Sequence, residues 1–342
     1  MVEMKNHSVL NLVITLILAT AAIGWLAMAL FPCCPFFHKA LVNRPVGQQS
    51  FSWPAMGTVA EFSMRADGVT AERAQKLAAT AFCEVNSNLS VFVQDSAVSR
   101  LNRGETVRVE TLSHLVKVLL LALETAEASG GAFDPTVNPL MRVWGFRGGT
   151  PSIPSETAIS NAMATVGWRR ITTSLVENDS FVLVSAGGAE LDFGAIAKGY
   201  AVDFAYERLV ENGFTDFLIN LGGNIRVCGS PEPGRTDWNV AVRDPSGRRP
   251  PNPLPRPLRS GEAVATSGSY ERFVEIDGRR YSHIIDPRTG HPVDNGLGSV
   301  SVIAPSAMMA DAYSTTLFVL GREDGSAFIA QRPNCTAVFI VQ

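Results

Sequence analysis

The spacing of apolar residues predicts several amphipathic helices beyond about residue 50. Over residues 70–90 the apolar positions recur every three or four residues, which is typical of a helix with one buried face, and Thr70 is the expected N-cap. Gly130 and Gly131 end a second predicted helix, because glycine commonly follows a last helical turn. The predicted helices cover about 70–90, 111–129, 155–165, 195–211 and 306–320, and Ser306 is the expected cap of the last one.

Short apolar runs bounded by turn residues predict strands between these helices. A first strand is expected to be interrupted by a turn at Met56 and Gly57. Because the runs come in adjacent pairs and do not alternate strictly with helices, the pattern predicts an α+β fold with mainly antiparallel sheets and flanking helices. The further predicted strands lie near 181–185, 189–193, 217–220, 224–228, 238–243, 263–266, 270–276, 280–285 and 298–304.

An uncharged apolar run at residues 9–31 is long enough to cross a bilayer as a helix, which needs about 20 residues. The small residues "AMA" at 27–29 leave a cleaved signal open, whereas Pro32 before Cys33 is unlike a lipoprotein signal. In either case we expect the body of the chain outside the cytoplasm, on the periplasmic side of the inner membrane or free in the periplasm. The predicted organisation is an anchor or signal at 1–37, a connector at 38–50 and one functional domain at 51–342.

Composition narrows the function classes only slightly. With 46% hydrophobic and 18% charged residues, the chain has an ordinary globular balance, and its formal net charge of -3 does not favour a nucleic-acid partner. Cys83, Cys228 and Cys335 are widely spaced in the body, so we expect neither a disulfide framework nor a cysteine metal cluster.

The stretch "LDFGAIAKGYAVDF" at 191–204 places a lysine where a helix is expected to begin. A cation is unfavourable at Lys198, because the N-terminal end of a helix carries partial positive charge. The same N–H groups together with a lysine can bind a phosphate. The alternative is an ion pair between Lys198 and Asp192 or Asp203.

In "SAMMADAYSTTLFVLG", at 306–321, Asp311 and Thr315 are four residues apart and therefore neighbours on one helical face. A carboxylate beside a hydroxyl suits Mg²⁺, which uses one or two carboxylates and completes its shell with water and phosphates. A buried hydrogen bond between the two side chains is the alternative.

Three other stretches carry candidate chemistry, each with a structural alternative. His283 lies between an Asp-Gly hairpin and the turn "DPRTG"; it can act as a base near pH 7 or hydrogen-bond to the turn. Gly222 and Gly223 allow a close backbone approach or make a tight turn. Phe133, Trp144 and Phe146, near Asp134 and Asn138, form a wall for a planar ring or ordinary core.

Taken together and in this order, the motifs resemble the FAD:protein FMN transferases, the ApbE family, over roughly residues 50–342. The matching stretches are "AMGTVAEF" (55–62), "FVQDSAVSRLN" (92–102), "GAFDPTVNPLMRVWGF" (131–146), "LDFGAIAKGYAVD" (191–203), "INLGGNIRVCG" (219–229), "ATSGSYERF" (265–273), "SHIIDPRTGHPV" (282–293) and "ADAYSTTLFVLG" (310–321).

The resemblance implies two subdomains with FAD in the cleft between them. It also implies Mg²⁺ held by Asp311, Thr315 and the backbone carbonyl of Ala195. Phe92 departs from the family, which often has tyrosine there. The residues that match positions lining the FAD site are Met56, Phe92, Ala132, Phe133, Asp134, Asp192, Lys198 and Ile285.

The implied reaction transfers FMN from FAD to a threonine hydroxyl of an exported target protein, such as a subunit of a redox-driven membrane complex, and releases AMP. His283 matches the residue thought to act in catalysis. We expect Asp286 to assist His283, and Lys198 to share the phosphate charge. The alternatives are an FAD pyrophosphatase that yields FMN and AMP, and a flavin-binding carrier without chemistry.

Overall fold

A computed structural model describes residues 46–148, 152–245, 247, 250–270 and 273–342. The apolar run at 9–31 and most of the predicted connector lie outside these residues. Within the described part of the chain, no helix is both long enough and apolar enough to cross a membrane.

A seven-stranded antiparallel sheet forms the centre of the molecule, in the order β1-β2-β6-β7-β10-β15-β16. Its long strand β15 is buried at every position, because both faces and both edges are covered. Val300 and Val302 face the main core, Ile303 belongs to a second apolar cluster with Trp238 and Leu258, and a neighbouring strand flanks each edge. The strands are β1 (Gly47–Ala55), β2 (Thr58–Ala66), β6 (Phe217–Leu221), β7 (Asn224–Cys228), β10 (Ala263–Gly268), β15 (Leu297–Ala304) and β16 (Thr336–Val341).

Smaller antiparallel sheets surround the central one. A three-stranded sheet has the order β3-β5-β4, and three further pairs of strands are hairpins or short ladders. These strands are β3 (Val107–Glu110), β4 (Thr172–Val176), β5 (Phe181–Ser185), β8 (Ala241–Val242), β9 (Asn252–Pro253), β11 (Phe273–Ile276), β12 (Arg279–Ser282), β13 (Ile285–Asp286) and β14 (His291–Pro292).

Helix α6 packs against both α1 and α7, and all three helices pack against the central sheet. Their apolar faces and the sheet form the main core, and α4, α5 and β13 enclose a separate smaller cluster. The helices are α1 (Gly68–Leu89), α2 (Ala97–Asn102), α3 (His114–Ala128), α4 (Asn138–Val143), α5 (Glu156–Met163), α6 (Ala197–Glu211) and α7 (Ala307–Ala330). The predicted α+β fold with mainly antiparallel sheets is therefore confirmed.

The N-cap predicted for the first helix is wrong, and two other elements are longer than expected. Asp67, not Thr70, caps α1, because its Oδ1 accepts the N–H groups of Val69 and Thr70 at 2.9 Å each. Strand β1 begins at Gly47, so the sheet extends into the predicted connector. The last predicted helix continues past residue 320 to Ala330, with a break at Gly321, where φ is 81°.

The predicted strand at 189–193 is also wrong. Glu190 makes only one isolated bridge, to Val137. The Asn102 side chain instead accepts the Leu191 N–H at 2.7 Å and donates to the Leu191 carbonyl at 2.9 Å, so an amide side chain replaces a neighbouring strand.

Other predicted strands have different limits. The run at 238–243 shortens to β8, and the run at 280–285 divides into β12 and β13 with His283 between them. The run at 270–276 narrows to β11. Strands β3, β4, β9, β14 and β16 were not expected from the sequence.

Asp203 connects three elements, α6, α7 and β7. From α6, its carboxylate accepts the N–H groups of Ala307 and Met308 at 2.8 Å each, which satisfies the start of α7. It also accepts a 2.8 Å hydrogen bond from Arg226 on β7. Burial raises the pKa of Asp203, while Arg226 and the two N–H groups act in the opposite direction.

Replacing Asp203 by alanine is expected to lower the free energy of unfolding by about 3–5 kcal/mol, because the nearly buried Arg226 loses its partner. Urea unfolding of the purified chain measures this change. The control is Glu232→Ala, which breaks the exposed 3.0 Å ion pair with Arg235 and should change stability by less than about 1 kcal/mol. Equal effects of the two substitutions would contradict the proposal that Asp203 stabilises the contact between α6, α7 and β7.

Candidate active site

A cleft of about 500 Å³ opens beside the β1–β2 turn, the first turn of α6 and the smaller apolar cluster. This volume lies within the range of roughly 300–1,000 Å³ that is usual for pockets that bind small molecules. The structure brings nearly all the predicted site residues to this cleft: Met56, Phe92, Ala132, Phe133, Asp134, Asp192, Ala195, Lys198, His283, Ile285, Asp311 and Thr315.

Asp286 is the exception, because it does not line the cleft. Its carboxylate accepts hydrogen bonds from the Nε and a terminal nitrogen of Arg288, at 2.9 and 2.8 Å. It also accepts the Arg288 N–H at 2.9 Å, which closes the turn between β13 and β14. Asp286 thus stabilises the "DPRTG" turn through Arg288. This ion pair does not support the prediction that Asp286 assists His283.

Two tight turns form one edge of the cleft. Met56 and Gly57 both have positive φ, 47° and 71°, as a two-residue hairpin loop requires, and Met56 thereby faces the cleft. Gly222, in the β6–β7 turn, also has positive φ, and a Cβ there would lie 2.6 Å from the Thr58 hydroxyl oxygen. The glycines at 222–223 therefore form a tight turn, and Gly222 also lets the backbone pack closely against Thr58.

The turn before α6 is fixed by a buried ion pair. Asp192 accepts the Gly194 N–H through Oδ1 at 2.7 Å, and Oδ2 accepts from both Nε, at 2.6 Å, and a terminal nitrogen of Arg147. The guanidinium of Arg147 also lies over the ring of Phe92, at 5.5 Å. Because this ring is 75% exposed at the cleft, Arg147 connects the buried turn to an open aromatic surface.

Lys198 reaches back across the first turn of α6. Its Nζ donates to the Gly194 carbonyl at 2.9 Å and lies 3.9 Å from Asp311 Oδ1. The alternative pairing with Asp192 or Asp203 is wrong, because those carboxylates bind Arg147 and Arg226.

Asp311 is held where α6 and α7 approach closely. Its Oδ2 accepts the Gly199 N–H at 2.9 Å, and a Cβ at Gly199 would lie 2.2 Å from the Ala307 carbonyl oxygen. Burial raises the pKa of Asp311, and the charge of Lys198 partly offsets this shift. Among the described residues, Oδ1 of this buried carboxylate has a cation at 3.9 Å and accepts no hydrogen bond, so the site favours further positive charge.

The structural alternative for this pair was a hydrogen bond between the side chains of Thr315 and Asp311. No such bond is found among the described residues. The Thr315 hydroxyl lies 2.9 Å from the hydroxyl of Ser267 on β10, which also contacts Ser314 at 2.9 Å. The described residues contain no group of three or more His, Cys, Asp or Glu side chains able to hold a metal. A cation here would therefore depend on one carboxylate with hydroxyl and carbonyl oxygens, a hard donor set that suits Mg²⁺ and its retained waters.

Of the predicted aromatic wall, only Phe133 lines the cleft. Trp144 belongs to the smaller apolar cluster, where its indole N–H donates to the Gly290 carbonyl at 2.9 Å, and Phe146 packs against the same cluster. Asp134 lies beside Phe133 and accepts hydrogen bonds from the hydroxyl and N–H of Thr136, at 2.6 and 2.8 Å. Burial raises the pKa of Asp134, and these hydrogen bonds lower it.

His283 lies directly after β12 and is half-buried in the cleft wall. The Ile284 N–H donates to the Ser282 hydroxyl at 3.1 Å, which bends the chain between β12 and β13. This bend turns the imidazole toward the cleft, although the sequence pattern predicted a continuous strand.

A sequence profile described as the ApbE family matches residues 56–339 of the chain. The chain belongs to the ApbE family. A relative from Treponema pallidum named FAD:protein FMN transferase is 36% identical over 263 residues, which cover 74% of this chain and 72% of the relative. A relative of the same name from Haemophilus influenzae is 31% identical over 302 residues, 86% of each chain.

Solved ApbE structures agree with the architecture. The ApbE protein of Thermotoga maritima superposes with a TM-score of 0.75 at 30% identity, over 86% of this chain and 94% of that one. The flavin transferase ApbE of Vibrio cholerae superposes with a TM-score of 0.74 at 30% identity, over 87% and 94% of the two chains. The predicted ApbE-like fold is therefore confirmed.

Proposed function

We propose that this ApbE-family member is an FAD:protein FMN transferase whose acceptor is a threonine hydroxyl of an exported protein. The observation that carries the proposal is the convergence of Lys198, His283 and the buried Asp311 on one cleft. The shared name of the relatives from Treponema pallidum and Haemophilus influenzae supports it.

The proposed reaction is a phosphoryl transfer. The threonine oxygen forms a bond to the phosphorus on the FMN side of FAD, and the bond from that phosphorus to the bridging oxygen breaks. The bridging oxygen leaves with AMP, and the threonine proton passes to His283. Such a reaction depends mainly on alignment and charge stabilisation, because the protein forms no covalent intermediate.

Mg²⁺ would be held by Asp311, Thr315 and the carbonyl of Ala195, all of which line the cleft. When bound, the metal would supply Lewis-acid stabilisation of charge on the phosphate oxygens. Gly199 holds Asp311 in place through its N–H, and Ser267 holds the Thr315 hydroxyl. These contacts support a site whose ligands are positioned in advance.

The other cleft residues bind and orient the substrate. Lys198 places a positive charge beside Asp311, where it can share the negative charge of the pyrophosphate. Phe133 and the exposed ring of Phe92 offer apolar surface to a planar ring. The Arg147–Asp192 pair keeps the turn before Lys198 in one position.

We further propose that the enzyme works on the periplasmic side of the inner membrane, attached through residues 9–31, or in the periplasm if that segment is cleaved. The uncharged run of apolar residues supports this location. A subunit of a redox-driven membrane complex is the kind of exported target that we expect.

The proposal is tested by incubating the full-length chain with FAD, Mg²⁺ and candidate exported proteins. We expect a flavin-fluorescent protein band that survives denaturing electrophoresis and disappears when EDTA is present. Free FMN and AMP without a labelled protein would instead indicate an FAD pyrophosphatase. Bound FAD without AMP release would indicate a flavin carrier.

A further inference from the structure

A second, open groove of about 560 Å³ adjoins the cleft. Asp134 and Pro287 line both cavities, so the groove and the cleft lie next to each other. The second groove is also lined by Trp168, Arg169, Arg170 and Arg288, and we call it the arginine groove. None of these four residues is part of the proposed FAD or metal site.

The arginine groove carries uncompensated positive charge in a chain whose formal net charge is -3. Arg288 is paired with Asp286. Within the described residues, in contrast, neither Arg169 nor Arg170 has a carboxylate within 4 Å. Asp134, the acid that lines the groove, is already engaged by Thr136 and by the Trp168 N–H at 3.1 Å.

Both unpaired arginines are held in defined positions. The guanidinium of Arg169 lies 4.2 Å from the centre of the Trp168 ring, and Arg170 donates to the Ala164 carbonyl at 2.7 Å. Ordered guanidinium groups bind carboxylates with a smaller loss of side-chain entropy than mobile ones.

The backbone that carries these arginines is hydrogen-bonded to Asp134 and Thr136, and Asp134 lines the cleft. The short 3₁₀ helix Trp168–Arg170 follows Gly167, whose N–H donates to the Thr136 hydroxyl at 2.7 Å. On its other side, a Cβ at Gly187 would lie 2.3 Å from the Arg170 carbonyl oxygen, so the chain packs closely there. A segment bound in the groove would therefore be held at a fixed distance from the cleft.

We propose that the arginine groove binds an acidic segment of the acceptor protein and so guides its threonine into the cleft. The inference rests on the proposed function, because only a protein acceptor needs a binding surface beside the FAD site. The charge complementarity fixes the chemistry of the partner: Asp or Glu residues near the acceptor threonine. Opposite charges of this kind increase the association rate and select among partners.

The test uses the full-length chain, FAD, Mg²⁺ and a pool of threonine peptides that differ only in whether Asp, Asn or Lys residues flank the threonine. Mass spectrometry measures the rate at which each peptide gains FMN. We expect the wild-type chain to modify the Asp peptides about tenfold faster than the Asn peptides at low salt, with the difference shrinking as salt is raised. The double variant Arg169→Glu with Arg170→Glu should instead prefer the Lys peptides.

A matched control is Arg73→Glu with Arg208→Glu, which makes the same change in charge. Arg73 and Arg208 also lie over aromatic rings, those of Phe214 and Phe204, and neither lines the cleft or the arginine groove. This control should keep the preference for Asp peptides, and both double variants should bind FAD as the wild type does.

Each outcome decides the inference. Equal rates for Asp, Asn and Lys peptides with the wild-type chain would overturn the inference and leave the proposed transfer intact. An unchanged preference in the Arg169/Arg170 variant would also overturn it. If that variant loses binding to phosphatidylglycerol vesicles but keeps its peptide preference, the groove binds a membrane surface instead. Failure to modify any peptide, with no AMP formed, would contradict the proposed function and the inference together.

Discussion

Replacing Asp311 by asparagine is expected to lower the FMN transfer rate at saturating FAD by about 10³-fold or more. The carboxylate is the one negatively charged side chain assigned to Mg²⁺, and charge stabilisation by a metal contributes several kcal/mol to such reactions. The amide keeps the shape of the side chain and can still accept the Gly199 N–H. The loss should therefore fall on the reaction and not on the fold.

Thermal melting separates these two effects. In EDTA the Asp311→Asn variant should melt close to the wild type, because it removes a buried charge. Only the wild type should gain stability when Mg²⁺ is added, since a ligand that binds the native state raises its melting temperature. Asp179→Asn, on an exposed turn, is the control and should retain both activity and the Mg²⁺ response. A fully active Asp311→Asn variant, or full activity in EDTA, would contradict the proposal that Mg²⁺ bound at Asp311 is needed for transfer.

Replacing His283 by alanine is expected to reduce the transfer rate by roughly 10²–10⁴-fold, the usual contribution of a positioned general base. The affinity for FAD should change little, because the imidazole is proposed to receive the threonine proton and not to hold the flavin. Single-turnover transfer at saturating FAD measures the chemical step, and a binding titration measures the affinity.

His291→Ala is the matched control. His291 lies in a different cavity, with its ring 6.0 Å from that of Trp144, and it does not line the cleft. This variant should transfer FMN at the wild-type rate. If His283→Ala loses thermal stability and FAD affinity together and keeps its transfer step, the histidine is structural and alignment by the other residues carries the reaction.

Local signals explain which elements could be predicted from the sequence. The helix over 195–211, which begins at Ala197 in the structure, and the Asp277–Gly278 hairpin were predicted because their signals are local. The apolar residues of the helix recur every four positions, and an Asp-Gly turn separates the two strands of the hairpin. Strand β4 escaped prediction because nearly all of its side chains are exposed and show no apolar alternation. The run at 189–193 was misread because its hydrogen-bond partner, Asn102, lies 89 residues away.

The same limit applies to the site. Lys198, Asp311 and His283 were identified because their motifs match a known family, and the structure places all three in one cleft. Arg147 and Ser267 were missed, because each acts through a contact across the fold. Asp192 is 45 positions from Arg147, and Thr315 is 48 positions from Ser267. No spacing rule for helices or strands links residues at such distances.

The stoichiometry of products tests the central claim most directly. The full-length chain would be incubated with FAD, Mg²⁺ and an acceptor protein, and AMP, free FMN and acceptor-bound FMN would be counted in the same sample. We expect one acceptor-bound FMN for each AMP, no accumulation of free FMN, and loss of both products when the acceptor threonine is replaced by valine. AMP and free FMN formed in equal amounts, with the valine acceptor as effective as the threonine one, would contradict the central claim.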